Sequence, residues 1–113
     1  MDLNLKGKVA IVTGGNKGIG EGISRSFAAE GAIVVVFGRN REEGEAFVAE
    51  LKSQGRKAAF RFAEMTNEEN VKDAVAQTFK EFGRIDIVVN NAGVNDGVDL
   101  ETGVAAFRES LEK

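Results

Sequence analysis

The chain of 113 residues contains no histidine, cysteine, tyrosine, tryptophan or proline. Without cysteine there is no disulfide framework and no thiol chemistry, although this absence alone does not define the redox compartment. Without histidine the chain lacks the side chain that most often acts as acid or base near neutral pH. Because histidine and cysteine are also common metal ligands, we expect no metal site. Catalysis by a tyrosine, histidine or cysteine side chain is excluded, because the chain has none of these residues.

Long apolar runs and an excess of one charge are missing as well. No run approaches the roughly 18 apolar residues of a membrane span, and residues 1–6 lack the apolar core of a signal peptide. The 15 basic and 18 acidic residues are mixed along the chain and leave a net charge of −3. This balance argues against a nucleic-acid surface or a polybasic membrane patch. We therefore expect a soluble protein of the cytoplasm.

What is present is an alternation of apolar runs and helical patterns, which predicts an α/β fold in a single domain. Right-handed crossovers would place the second and third strands on one side of the first strand and the fourth on the other. The prediction is a three-layer parallel sheet of order 3-2-1-4, with a ligand crevice at the carboxyl ends of strands 1 and 4. The predicted strands cover residues 9–13, 32–37, 57–62 and 85–89, with the third strand nearest a sheet edge.

The helix after the first strand has a regular apolar pattern. Ile19, Ile23 and Phe27 are spaced four residues apart, so they lie on one side of a helix. This spacing predicts that the three side chains form the face that packs on the core.

The other two helices carry capping signals. Asn40, with Glu43 three residues later, resembles an N-cap with a helper carboxylate at the start of the second helix. Thr66 and Glu69 have the spacing of a capping box for the third helix, and Gly83 is typical of its end. These residues predict where both helices begin.

A glycine-rich turn follows the first strand, in residues 13–20, which read Thr-Gly-Gly-Asn-Lys-Gly-Ile-Gly. Gly14, Gly18 and Gly20 would let the backbone approach a pyrophosphate at the start of a helix, whose first N–H groups have no partner inside the helix. The spacing differs from the general dinucleotide fingerprint G-x-G-x-x-G, and no Gly-Lys-Ser/Thr closes a P-loop. The residues leave open a tight turn that binds no ligand.

The spacing resembles that of the short-chain dehydrogenase/reductase family, whose signature is T-G-x-x-x-G-I/L-G. A second family feature, Asn90-Asn91-Ala92-Gly93, follows the fourth predicted strand at the expected distance. The resemblance covers essentially the whole chain and implies a Rossmann-type fold. The family's catalytic domain is about twice as long as this chain. The resemblance therefore also implies that residues 1–113 are a single NAD(P)-binding domain truncated at its C-terminal end.

The choice of cofactor is expected at the end of the second strand. An NAD site places an Asp or Glu there for the ribose 2′-hydroxyl, whereas this chain has Gly38-Arg39-Asn40. Arg39 offers a planar donor fork suited to a 2′-phosphate, and Lys17 could approach the same group. Both match positions that favour NADP in the family, although Glu42 and Glu43 would weaken the positive field. We expect NADP, with NAD as the alternative and solvated side chains as the other interpretation of Arg39 and Lys17.

The resemblance implies further contacts to the cofactor. Glu64-Met65 falls where the family commonly has an Asp-Val pair that contacts the adenine. Asn91-Ala92-Gly93 resembles the family segment whose backbone and side-chain amide lie along the cofactor's ribose. A solvated strand-end carboxylate and a plain Asn-rich loop remain the alternatives. The predicted cofactor-binding residues are Gly14, Asn16, Lys17, Gly18, Ile19, Gly20, Arg39, Asn40, Glu64, Met65, Asn91, Ala92 and Gly93. Asn90 is expected instead to tie the fourth strand to its neighbours.

The family's catalytic tyrosine, the lysine four residues after it, the serine and the helix asparagine have no match here. The resemblance implies the cofactor-binding portion of an NADP-dependent oxidoreductase that transfers a hydride between the nicotinamide and a secondary alcohol or ketone. Residues 94–98 resemble members that oxidise sugars such as L-fucose, and they equally suit a tight turn. We expect no catalytic residue and little activity in these 113 residues alone. The resemblance also implies that the intact protein is a homo-oligomer, as intact family members usually are. The alternative is a non-enzymatic nucleotide-binding or protein-pairing module.

Overall fold

The computed structural model of the chain describes residues 5–14 and 17–91. Within these ranges no helix is both long enough and apolar enough to span a membrane. Strands and helices alternate along the chain, as the sequence predicts. The elements are β1 (Val9–Thr13), α1 (Gly18–Ala29), β2 (Ile33–Gly38), α2 (Arg41–Ser53), β3 (Ala58–Phe62), α3 (Glu68–Phe82) and β4 (Ile87–Val89).

The strands form a parallel sheet in the order β3-β2-β1-β4, which confirms the predicted topology and the edge position of β3. Ile11 of β1 pairs with Val35 of β2 on one side and with Val88 of β4 on the other. All five residues of β1 are buried, as expected for a central strand covered on both faces. The strand order changes direction between β1 and β4, so loops from both strands end at the same edge.

Helices cover both faces of the sheet and give the predicted three layers. Alternate residues of one strand point to opposite faces. Val34 and Val36 of β2 pack with α1 and α2, whereas Val35 and Phe37 pack with α3. Each face therefore has its own apolar core.

The predicted core face of α1 is wrong at Ile19, which is 77% exposed. The buried residues of this helix are Gly20, Ser24 and Ala28, while Ile23 and Phe27 are only partly buried beside the core. The small residues let the helix backbone approach the sheet closely, so the contact line lies one residue away from the line of large side chains. Spacing alone did not distinguish these neighbouring stripes.

Ser24 on the buried side of α1 is expected to reduce stability. Its hydroxyl is buried and has no hydrogen-bond partner among residues 5–14 and 17–91. We expect Ser24→Ala to raise the free energy of unfolding by about 1–2 kcal/mol, because it removes an unsatisfied polar group and improves helix propensity. Urea unfolding would measure the change.

Ser26, on the exposed side of the same helix, provides the matched control. Ser26→Ala should contribute only the propensity difference, about 0.5 kcal/mol. Equal gains from both substitutions would show that the buried hydroxyl carries no penalty.

The caps of α2 and α3 agree with the predictions only in part. The side chain of Asn40 accepts a hydrogen bond of 3.0 Å from the Glu43 amide, which confirms it as the N-cap of α2. The predicted capping box of α3 is wrong, because Asn67 is the N-cap and accepts from the Asn70 amide. The Thr66 hydroxyl instead donates a hydrogen bond of 3.0 Å to the carboxylate of Glu64. The expected C-terminal glycine of α3, Gly83, is left-handed with φ 79°.

Strand β4 begins at Ile87, two residues later than predicted. The carboxylate of Asp86 accepts a 2.8 Å hydrogen bond from the Val9 amide and binds Arg84 with both oxygens, at 2.7 and 2.9 Å. The Arg84 hydrogen bonds hold the pKa of Asp86 below its usual value. The Asp86 amide also donates to the Val9 carbonyl at 2.9 Å, so Asp86 binds β1 through both its backbone and its side chain. Ile85 before it belongs to the buried core.

Candidate cofactor-binding site

The glycine turn joins the end of β1 to the start of α1. Gly14 has φ 63°, and its amide donates to the carbonyl of Phe37 at 2.8 Å. Lys17 precedes the helix in an extended conformation and its side chain makes no capping hydrogen bond. Gly18 opens the helix at φ 53°, a left-handed value that side chains other than glycine rarely adopt. The first amides of α1 can therefore point at a ligand.

The two sequence motifs meet at Gly20. A Cβ atom on this residue would lie 2.3 Å from the carbonyl oxygen of Gly14 and 2.6 Å from the side-chain nitrogen of Asn91. The third glycine of the turn thus holds α1 against the turn itself and against the residue that follows β4. Positions about 70 residues apart in sequence form one continuous surface.

Thr13 connects this surface to the sheet. Its hydroxyl is fully buried and accepts a 2.7 Å hydrogen bond from the Asn91 amide. The hydroxyl also lies 3.3 Å from Oδ1 of Asn90 and 3.5 Å from the carbonyl oxygen of Val89. Asn90 therefore ties β4 to β1, as predicted, while Thr13 positions the backbone of Asn91.

A cleft of about 480 Å³ opens at the carboxyl ends of β1 and β2. Five predicted site residues line it, and Glu64 lies beside it without lining it. The sequence analysis missed four lining residues, of which Arg41 is charged; its position directly after the helix cap was the signal that could have found it. The lining residues are Gly14, Lys17, Phe37, Gly38, Arg39, Asn40, Arg41, Ala63 and Met65.

The two predicted phosphate-binding cations are each paired with a carboxylate. The ammonium group of Lys17 lies 3.0 Å from the carboxylate of Glu43, and the guanidinium of Arg39 lies 3.7 Å from that of Glu64. The side chains of Lys17 and Arg39 are nevertheless 69% and 74% exposed. Ion pairs this exposed are worth at most about 1 kcal/mol, so a phosphate can replace them.

The helper-carboxylate role predicted for Glu43 is wrong. The Glu43 backbone amide donates to the Asn40 cap, but its carboxylate contacts Lys17 across the cleft rim. The reason is tertiary, because the glycine turn brings Lys17 next to the first turn of α2.

Three predicted site residues lie outside the described residues: Asn16, Ala92 and Gly93. The predicted substrate-side tract at residues 94–98 lies outside them too. Of the other predicted residues, Ile19 is exposed at the start of α1 and does not line the cleft.

A sequence model of the family described as short chain dehydrogenase matches residues 8–112. This chain belongs to the short-chain dehydrogenase family. The resemblance drawn from the two motifs is thereby confirmed.

Curated relatives of this chain act on different substrates according to their names. An L-fucose dehydrogenase from Bos taurus is 40% identical over 99% of this chain, which corresponds to 41% of that protein. A 3-oxoacyl-acyl-carrier-protein reductase from Chlamydia pneumoniae is 42% identical over 83% of this chain and 38% of its own length. The chain therefore spans about two fifths of the length of these relatives.

Solved structures of the family share the fold. A metagenomic short-chain oxidoreductase in complex with NADP aligns with a TM-score of 0.76 and 34% identity, over 80% of this chain and 41% of its own. A blue fluorescent protein from a metagenomic library, in complex with NADPH, aligns with a TM-score of 0.80 and 31% identity over 95% of this chain and 52% of its own. Structural neighbours of this chain thus include proteins solved in complex with NADP or NADPH.

Proposed function

We propose that this chain is the cofactor-binding portion of an NADP-dependent short-chain oxidoreductase. The observation that carries the proposal is the end of β2, where Gly38 and Arg39 both line the cleft. An NAD site would have a carboxylate at this place to accept a hydrogen bond from the ribose 2′-hydroxyl. Arg39 instead offers a planar, permanently charged donor group that suits a 2′-phosphate.

The residues around the cleft fit a dinucleotide. Among the residues that the structure describes, no atom beyond the chain neighbours and own helix backbone of Gly18 lies within 4 Å of the position that its Cβ atom would take, so there is open space beside the start of α1. We assign the pyrophosphate to this space and to the first amides of the helix. Lys17 and Arg39 would hold the 2′-phosphate, and Met65 on the cleft wall would contact the adenine, with Glu64 beside it.

Asn91 completes the proposed site on the other side of the turn. The backbone amide of Asn91 donates a hydrogen bond to the Thr13 hydroxyl, and its side-chain amide packs against Gly20. Asn91 would therefore be placed to contact a ribose of the cofactor. The bound cofactor would supply hydride transfer with a secondary alcohol or ketone. The described residues of this chain would bind and orient it, and the names of the relatives make a sugar one candidate substrate.

Reversing the charge of Arg39 tests the choice of cofactor. We expect Arg39→Asp to weaken NADP binding about 10- to 100-fold, because hydrogen bonds to charged groups contribute roughly 1.5–3 kcal/mol. NAD binding should stay within a few fold, since NAD has no 2′-phosphate. Isothermal titration calorimetry of the chain with each cofactor would measure both affinities.

Arg56→Asp is the matched control, because it makes the same charge change just before β3. This position lies at the end of the sheet where the parallel strands begin, whereas the cleft lies where they finish. Its NADP affinity should be close to that of the original chain. Equal affinities of the original chain for NADP and NAD would remove the assignment to NADP.

A further inference from the structure

Glu43 holds a carboxylate at the rim of the cleft. Its backbone amide is bonded to the side chain of Asn40, a lining residue, which fixes the first turn of α2 beside the end of β2. Its carboxylate reaches Lys17 on the opposite side of the rim at 3.0 Å. Glu43 does not itself line the cleft, but its negative charge lies next to Lys17, one of the two cations to which the proposed function assigns the 2′-phosphate.

We infer that Glu43 is a specificity-determining residue that lowers the affinity of the cleft for a 2′-phosphate. The inference rests on the proposed function and goes beyond it, because it concerns a residue that opposes the preferred cofactor. Arg39 and Lys17 favour a 2′-phosphate, and Glu43 offsets part of that preference. The cleft would therefore prefer NADP over NAD less strongly than it would if Arg39 and Lys17 acted without Glu43.

Two physical effects act in the same direction. A phosphate monoester carries a charge of about −1.5 to −2 near neutral pH, so a carboxylate at the same rim repels it. The carboxylate also occupies Lys17, which must leave Glu43 before it can bind a phosphate fully. A ribose with a free 2′-hydroxyl meets neither effect, so the affinity for NAD should be nearly independent of Glu43.

The second carboxylate near the cleft is a weaker candidate. Glu64 lies 3.7 Å from Arg39, farther than Glu43 lies from Lys17, and its carboxylate also accepts a 3.0 Å hydrogen bond from the hydroxyl of Thr66. Thr66 binds Oε1 of this carboxylate, whereas Arg39 faces Oε2 at the longer distance and is therefore held less closely than Lys17. Lys17 is the cation whose release should change phosphate binding most.

The test uses probes that occupy only the adenosine end of the site. Adenosine 2′,5′-bisphosphate and adenosine 5′-monophosphate differ by the 2′-phosphate alone. We expect Glu43→Gln to bind the bisphosphate about three- to tenfold more tightly than the original chain, and the monophosphate within twofold. The gain should shrink between 0.02 M and 0.15 M salt, because screening reduces the repulsion. Calorimetric titration measures all four affinities.

Glu42→Gln is the control. It makes the same charge change one residue away in the same helical turn, and in the part of the chain that the structure describes no ion pair involves Glu42. Both substitutions keep the side-chain length and remove one acidic group from the helix start, so their effects on α2 should be alike. Glu42→Gln should change the affinity for the bisphosphate less than twofold.

A second variant separates repulsion from competition for Lys17. In a Lys17→Gln background, Glu43→Gln should give a smaller gain than in the original chain, because no cation remains to be released. An equal gain from Glu42→Gln, no gain from Glu43→Gln, or the same gain for both probes would overturn the inference. If the original chain binds both probes equally and only Glu43→Gln favours the bisphosphate, the NADP assignment fails and the inference stands. Binding of neither probe to any variant would overturn both.

Discussion

Replacing Gly18 with valine is expected to abolish NADP binding. The substitution puts a branched side chain into the open space beside the first turn of α1, where a Cβ atom would meet nothing within 4 Å in the described part of the chain outside its own helix and chain neighbours. At least two charge-assisted hydrogen bonds to the pyrophosphate would be lost, at roughly 1.5–3 kcal/mol each, so we expect a loss of more than about 100-fold. Calorimetric titration with NADP would measure the loss.

A valine at Gly18 also strains the backbone, since φ is 53° there. Gly55→Val controls for this strain, because Gly55 has φ 79° and a Cβ atom there would likewise meet nothing within 4 Å among the described residues. Gly55 precedes β3, so it lies at the end of the sheet where the strands begin, away from the cleft. Both variants should lose about 1–2 kcal/mol of stability, the usual penalty of a left-handed conformation. Only Gly18→Val should lose the cofactor. Retention of NADP binding by a folded Gly18→Val chain would mean that the pyrophosphate does not bind at this turn.

Replacing Gly20 with alanine is expected to destabilise the fold itself. The added methyl group would lie 2.3 Å from the carbonyl oxygen of Gly14, which is backbone and cannot rotate away. Overpacking of this kind typically reduces the free energy of unfolding by about 1–3 kcal/mol, and we expect the upper end of that range. The NADP affinity should fall as well, because Asn91 must move. Urea unfolding and cofactor titration would measure the two effects.

Gly22→Ala should have the opposite sign in the same helix. A Cβ atom on Gly22 would contact nothing within 4 Å, so alanine adds helix propensity without a clash. We expect a gain of about 0.5–1 kcal/mol. If Gly20→Ala were also stabilising, the close contact between α1, the turn and Asn91 would be wrong.

The glycines of the turn therefore have different roles, although the motif presents them together. The space beside Gly18 is open among the described residues and is where we propose that a ligand binds, whereas the space beside Gly20 is filled by Gly14 and Asn91. The sequence pattern requires a small residue at both positions but does not state what occupies the space. The distances around each Cβ position make that distinction.

Most of the fold could be predicted because its signals are local. Apolar runs such as residues 9–13 form strands, glycines end helices, and the handedness of crossovers gives the strand order without any knowledge of contacts. The errors occurred where neighbouring signals compete. Thr66 and Asn67 are both residues that favour an N-cap, and the structure shows that Asn67 is the one whose side chain accepts from the helix. Ile19 has helical spacing with the core residues but lies outside the contact line.

The sequence by itself determined the family and the parallel sheet, and it predicted that two short motifs at strand ends meet at the carboxyl ends of the strands. The described cleft lies at the ends of β1 and β2, on the other side of β1 from the crevice predicted between β1 and β4. Only the tertiary structure decided which charges face each other there. The contact between Lys17 and Glu43 joins the residue before α1 to the first turn of α2, and the two residues are 26 positions apart in sequence. No local pattern encodes that distance, since it depends on how closely α1 and α2 pack on the same face of the sheet.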